Sequence, residues 1–206
     1  MGQFKGGAKY MGKVKESRIN RLSFYDKVRL GTLIDGEGCI SIARLSKPNQ
    51  YTYRPVISIG GTYKAGIYEI LDIVGTGRIY EYKPKNLKCK IAYNYCLFRM
   101  KDIEDVLLQL GSFVKWKQLQ SQIMLEYLNS RLTRSGPSKY TLGFSPRELE
   151  LYNILHDLNA KGPDAVERQD ELRAEYSMND EIVTTSDLIC AKKNSSLRSF
   201  MPQMMI

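Results

Sequence analysis

The chain has one histidine among 206 residues. Hydrolases and nucleases that assemble a metal-and-base constellation from imidazoles usually need at least two, so most of that class is excluded. Four cysteines, at 39, 89, 96 and 190, show no C-x-x-C spacing, and with a single histidine beside them they leave little from which to build a zinc site. No apolar run approaches the ~20 residues that cross a bilayer, so no membrane partner is expected. The opening MGQFKGGAKYMGKVKES has no apolar stretch of the secretory kind, and Gly6 stands where a myristoylation signal needs Ser or Thr. The expectation is a soluble, intracellular protein, in the cytoplasm or an organelle interior. Its chemistry must run on carboxylates, lysines or hydroxyls.

What is present is globular in composition, with 43% hydrophobic and 26% charged residues, and of a length for one domain with extensions or two small ones. The net charge is +9 and unevenly placed. Residues 1–22 set Lys5, Lys9, Lys13, Lys15, Arg18 and Arg21 against Glu16 alone and read as a flexible basic arm. Residues 163–182 hold seven acids and two arginines. The rest is strongly basic, which suits a polyanionic partner such as nucleic acid; a soluble basic protein without one would have the same balance.

From Ser23, a fair N-cap, Phe24, Val28, Leu30, Leu33 and Ile34 recur at helical spacing until Asp35-Gly36-Glu37-Gly38. Cys39–Ser46 and Tyr51–Ile59 then alternate as paired strands around Lys47-Pro48-Asn49-Gln50. The unit repeats: a helix over Tyr63–Val74 closed by Gly75, then strands Arg78–Lys83 and Lys88–Phe98 around Pro84-Lys85-Asn86. Helices are predicted over Asp102–Leu110 and Val114–Arg131, the latter with Trp116, Leu119, Ile123 and Tyr127 as one apolar stripe. Arg131–Phe144 reads as a polar linker. Ser145-Pro146 starts a helix reaching about Ala160; the acidic stretch beyond Lys161 has no clear assignment. The expected organisation is an arm over 1–22, one domain over 23–160 and a C-terminal extension over 161–206. The fold class is α+β, αββαββα, with a four-stranded antiparallel sheet covered by helices on one face.

Strand parity sorts the side chains of such a sheet. Ile40, Ile42, Ile57, Ile59, Ile79, Ile91, Tyr93, Tyr95 and Leu97 form the set facing the helices. The opposite set is Ser41, Ala43, Thr52, Arg54, Ser58, Arg78, Tyr80, Tyr82, Lys90 and Asn94, with Lys47 and Asn49 in the turn. It contains guanidinium, ammonium, hydroxyl and amide groups and no acid, which suits the base edges and phosphates of a DNA groove. An ordinary solvated sheet face has the same character, so parity alone leaves both readings open.

The segment Leu30-Gly31-Thr32-Leu33-Ile34-Asp35-Gly36-Glu37-Gly38 resembles the nine-residue signature of the LAGLIDADG homing endonucleases. It matches at Leu30, Leu33, Ile34, Asp35 and Gly38, with Glu37 in place of the last aspartate. It ends a predicted helix and runs at once into a hairpin, as in that family, and the likeness extends through the repeated unit and Lys115-Trp116-Lys117-Gln118 over about residues 23–160. No second Asp-Gly or Glu-Gly pair ends a later helical run, so the layout is that of the one-motif members that act as homodimers.

The resemblance implies a site-specific double-strand DNA endonuclease whose metal ligand is Glu37 and whose water-organising lysine is Lys117. The glutamine and arginine that the family often adds after the second strand are absent from Gly60-Gly61-Thr62-Tyr63-Lys64-Ala65, where Lys64 is the one candidate substitute. Glycine in a helix costs about 1 kcal/mol relative to alanine, and close approach of a partner helix is the reason expected for Gly31 and Gly36. If the Leu30–Gly38 helix packs on its own copy about a two-fold axis, two Glu37 carboxylates meet at two negative helix ends. A divalent cation relieves that repulsion. Oxygen ligands, the Glu37 carboxylate and the Gly36 carbonyl, favour Mg²⁺, with Mn²⁺ as a substitute. The expected target is long and near-palindromic, and the expected product carries 3′ overhangs. Two other readings fit the same fold: an RNA maturase that assists an intron, and a catalytically inactive DNA-binding regulator.

Overall fold

The computed structural model describes residues 16–47, 50–85, 89–133 and 145–178. Among them six α-helices and four strands follow in the order α1 (Phe24–Glu37), β1 (Gly38–Lys47), β2 (Gln50–Gly61), α2 (Lys64–Val74), β3 (Arg78–Tyr82), β4 (Ala92–Leu97), α3 (Met100–Leu110), α4 (Gln118–Thr133), α5 (Pro146–Leu158) and α6 (Pro163–Met178). A 3-10 turn over Gly111–Phe113 joins α3 to the segment before α4. The chain divides after Asn159 into two units, with α6 in the second.

The four strands form one antiparallel sheet in the order β1-β2-β4-β3. Period-two alternation sends Ile40, Ile42, Ile57, Ile59, Tyr95 and Leu97 to the covered face, where all are buried. Of these, Ile57, Ile59, Tyr95 and Leu97 meet Leu30 and Ile34 of α1, Val74 of α2 and Val106 and Leu110 of α3 around a common centre. Among the residues lining this centre, Tyr95 carries a polar group. Its hydroxyl donates to the Thr76 carbonyl at 2.7 Å, and burial pushes its phenol well above the ordinary range.

Helix boundaries follow local chemistry. Ser23 and Asp26 cap α1 reciprocally, Oγ of Ser23 taking the Asp26 N–H and the Asp26 carboxylate taking the Ser23 N–H. The Ser23 hydroxyl, donating to the Asp26 carboxylate at 2.7 Å, and then the Ser23 N–H hold that carboxyl below its ordinary pKa. Ser145 and Glu148 repeat the device on α5, with Pro146 at its first position. Gly75 ends α2 in the left-handed region, at φ 83°, as its place in the sequence predicts.

Residues 16–22 run as a strap across α2 and α3. The Asn20 N–H donates to Val74 O at 3.0 Å, Ser17 Oγ to Asp105 at 2.8 Å, and the Leu22 N–H to Gln109 Oε1 at 2.9 Å.

The structure corrects three expectations about these elements and assigns one segment that the sequence leaves open. α4 begins at Gln118, not Val114, because residues 114–117 form a turn; the expected stripe therefore loses Trp116, which is 77% exposed, while Ile123 and Tyr127 are buried. β4 begins at Ala92, which leaves Ile91 exposed rather than in the core, and Lys90 outside the strand. α4 continues to Thr133, two residues into the expected linker. The acidic stretch after Lys161 forms α6; Leu172 is buried there, but most of its neighbours are charged or polar, so no apolar stripe of helical period marks it in the sequence.

Candidate functional site

The site is built where α1 ends. Four carbonyls at a helix C-terminus lack partners within the helix, and the end carries about half a negative charge. α1 has no basic residue in its own last turn. The compensating cation comes instead from the turn before α4: Lys117 Nζ donates to Ile34 O at 2.8 Å and to Asp35 O at 2.6 Å. The exchange is reciprocal. The Asp35 carboxylate takes the Lys115 N–H at 2.7 Å and the Lys117 N–H at 3.0 Å, so it sits at the positive end of α4. Glu37 is exposed at this same corner, directly before β1.

Two glycines of the motif are explained within the chain. A Cβ on Gly31 would lie 2.3 Å from the Phe113 carbonyl oxygen, and one on Gly38 would lie 2.6 Å from Ile34 Cα. Gly31 is therefore required by the 3-10 turn of its own chain, which corrects the expectation that a partner helix demands it. Gly36 differs: it is exposed, and a Cβ there meets nothing within 4 Å. With Tyr25 (82% exposed), Val28 and Thr32 it marks the side of α1 turned away from its own core. On the opposite side Leu30, Gly31 and Ile34 are buried.

Lys64 opens α2. The pairing of Gly38 with Ile59 puts the end of β2, two residues further at Gly61, at the edge of the sheet where Glu37 stands, and Lys64 follows three residues on. Its ammonium lies 5.6 Å from the Tyr68 ring centre and 5.8 Å from that of Tyr93, within cation–π range of both.

The open face of the sheet matches the parity reading. Pairings Ala43↔Arg54, Ser58↔Cys96↔Arg78 and Tyr80↔Asn94 put these side chains on one side, and Ser41 and Tyr82 fall in the same register. Arg54, Arg78, Tyr80, Tyr82 and Asn94 are exposed, and no acid shares their parity among the described residues. Asn49 and the side chains of Lys47 and Thr52 lie outside the described residues. Sequence reasoning missed Phe98. It stands one residue past β4, and the Arg54 guanidinium sits 4.1 Å above its ring centre while Tyr80 meets the ring edge-on at 6.4 Å. The same arginine partly offsets the burial that raises the Cys96 thiol pKa. An aromatic residue immediately after a strand whose parity points outward was the available signal.

Among the described residues no group of three or more His, Cys, Asp or Glu is placed to hold a metal. Glu37 and helix-end carbonyls are hard oxygen donors, a set that fits Mg²⁺ and leaves most of the shell to water or a second ligand source.

No family model matches the chain, and no curated protein matches it in sequence. Solved structures do match. The homing endonuclease I-CvuI in complex with its target aligns over 73% of this chain and 98% of its own, at 17% identity and a TM-score of 0.54. The archaeal intron-encoded homing endonuclease I-Vdi141I complexed with DNA aligns over 73% and 98%, at 18% identity and 0.52. A second I-CvuI complex, on the I-CreI target in the presence of Mg, gives 72%, 94%, 17% and 0.52. Both enzymes are matched over nearly their full length by a chain with one motif. The α+β arrangement around a four-stranded antiparallel sheet and these alignments agree on one conclusion: this chain has the fold of the LAGLIDADG homing endonucleases.

Proposed function

We propose that the protein is a site-specific double-strand DNA endonuclease that works as a homodimer through α1. The observation that carries the reading is the corner where α1 ends: an exposed Glu37 two residues past Asp35, whose carbonyl takes an ammonium, Lys117, that the chain brings in from a distant segment. A structural helix end has no use for a solvent-facing carboxylate at its negative pole; a phosphodiester-cleaving site does. The named complexes of I-CvuI and I-Vdi141I with DNA support the choice of substrate.

Each residue then has a role. Packing of the Tyr25, Val28, Thr32 and Gly36 side of α1 on its copy brings two Glu37 carboxylates together. Each would hold a Mg²⁺ ion with the Gly36 carbonyl of the same helix, Mn²⁺ serving in its place. Bound there, such an ion supplies a lowered water pKa and stabilisation of the leaving oxygen. Lys117 offsets phosphate charge and orients water, and Lys64, at the exit of β2, adds a second cation near the same edge. Each open sheet face follows the major groove of one half-site, Arg54 and Arg78 reading base edges, so the target is long and near-palindromic. Glu37 and its twin lie over the central minor groove, and cutting leaves 3′ overhangs.

The experiment that tests the reading is selection of cleaved sites from a random duplex library with Mg²⁺. A symmetric consensus with staggered ends is expected. Recovery of no cleaved site, alongside tight binding of duplex or structured RNA, would favour a regulator or a maturase instead.

A further inference from the structure

Asp35 stands two residues before Glu37, half-buried, and both of its carboxylate oxygens are engaged by one turn of chain 80 residues away. Its Oδ1 takes the backbone N–H of Lys117, and its carbonyl oxygen takes the ammonium of the same lysine. One residue thus holds Lys117 at both ends. We propose that Asp35 is the positioning residue for Lys117, fixing the 115–117 turn so that the ammonium is delivered to the helix end that carries Glu37. What Lys117 does there rests on the nuclease reading above; how it gets there rests on geometry.

The physical need is specific. A lysine carries large rotamer entropy on a four-carbon stem, so a carbonyl contact at its tip does not by itself fix its root. The root is a non-helical turn between a 3-10 segment and the first residue of α4. Its two amides would otherwise bond to water. Charge-assisted hydrogen bonds from these amides to a carboxylate are roughly twice as strong as neutral ones and restrain the turn in two places. A displacement of about 1 Å in a catalytic group costs up to about a hundredfold in rate, so the restraint has a kinetic consequence while leaving the DNA-reading sheet untouched.

The test uses the full chain and the isosteric Asp35→Asn variant, which keeps one acceptor and replaces the other with a donor that opposes an N–H. Amide hydrogen exchange is the readout that needs no cleavage. Exchange at Lys115 and Lys117 is expected to rise about tenfold or more, with the middle of α1 unchanged, since each tenfold step corresponds to about 1.4 kcal/mol. Unchanged exchange at both amides overturns the proposal. On a selected duplex with Mg²⁺, kcat is expected to fall about 10- to 100-fold with KM unchanged, and the same substitution in a Lys117→Met background is expected to cost little further. An equal additional loss in that background would show that Asp35 acts on the fold at large and not through Lys117, and would overturn the proposal. Asp35→Glu, which keeps the charge but adds a methylene, is the second variant should Asp35→Asn fail to fold; it is expected to show smaller losses of the same kind. If the unaltered protein cuts no duplex, the nuclease reading fails by itself, and the exchange measurement still decides whether Asp35 holds the turn.

Discussion

The Phe113 carbonyl oxygen comes so close to α1 that a Cβ on Gly31 would lie 2.3 Å from it. The neighbour is backbone, not the tip of a flexible side chain, so it cannot yield without moving the 3-10 turn. One helical turn further along α1, Asp35 grips the segment that follows. Phe24, one turn or more before Gly31, meets the Phe113 ring edge-on at 5.6 Å. The helix that ends in Glu37 is therefore seated on its own chain along one side before any partner is considered.

Gly31→Ala is expected to destabilise the fold. Overpacking costs about 1–3 kcal/mol, and the gain of alanine over glycine in a helix returns about 1 kcal/mol of it. Urea unfolding checks this, and a variant as stable as the parent would contradict the close approach.

Gly36→Ala separates the two glycines. No atom of the chain is within 4 Å of a Cβ at this position, so the monomer fold should be unharmed and gain up to about 1 kcal/mol. Self-association should weaken, because the exposed side of α1 is the proposed seam. Sedimentation over a concentration series decides it: an unchanged dimer constant would place the interface elsewhere.

Much of this was legible in the sequence, and the gaps have physical causes. Strand parity worked because period two is strict: every buried isoleucine of β1 and β2 was assigned to its side. The α1 terminus was legible because Asp35-Gly36-Glu37-Gly38 stops a helical stripe. Gly31 was assigned to the wrong neighbour, since sequence reveals that a helical glycine needs a close contact but not whose backbone makes it. Trp116 was misphased because a turn at 114–117 precedes α4, and an apolar residue spaced like its successors mimics one more helical turn. The Asp35 to Lys117 exchange joins positions 82 residues apart; the resemblance singled out Lys117, but no local pattern links it to Asp35.

Arg54→Ala and Phe98→Ala should alter preference at the same base pairs. Loss of a bidentate arginine contact removes about 1–3 kcal/mol of discrimination. Phe98 holds that guanidinium from below, so its loss should blur the same positions to a smaller degree. Profiling cleavage or binding across single-substitution targets checks this. Effects at unrelated positions would separate the two residues, and a uniform loss at all sequences would assign Arg54 to phosphate contact.

Duplex binding should fall steeply and linearly in log–log form with salt, each phosphate neutralised adding about 0.9 to the slope. Arg78→Ala, if Arg78 reads a base, should lower affinity for the preferred site more than it lowers the slope. A flat salt response in the parent would contradict the open face as a backbone-tracking surface.

Glu37→Gln keeps the size of the side chain and removes its charge. Measured side by side on a selected duplex with Mg²⁺, the parent should cut both strands, while Glu37→Gln should bind the duplex with comparable affinity and cut neither. Normal cleavage by Glu37→Gln would contradict the assignment of the nuclease site to the end of α1.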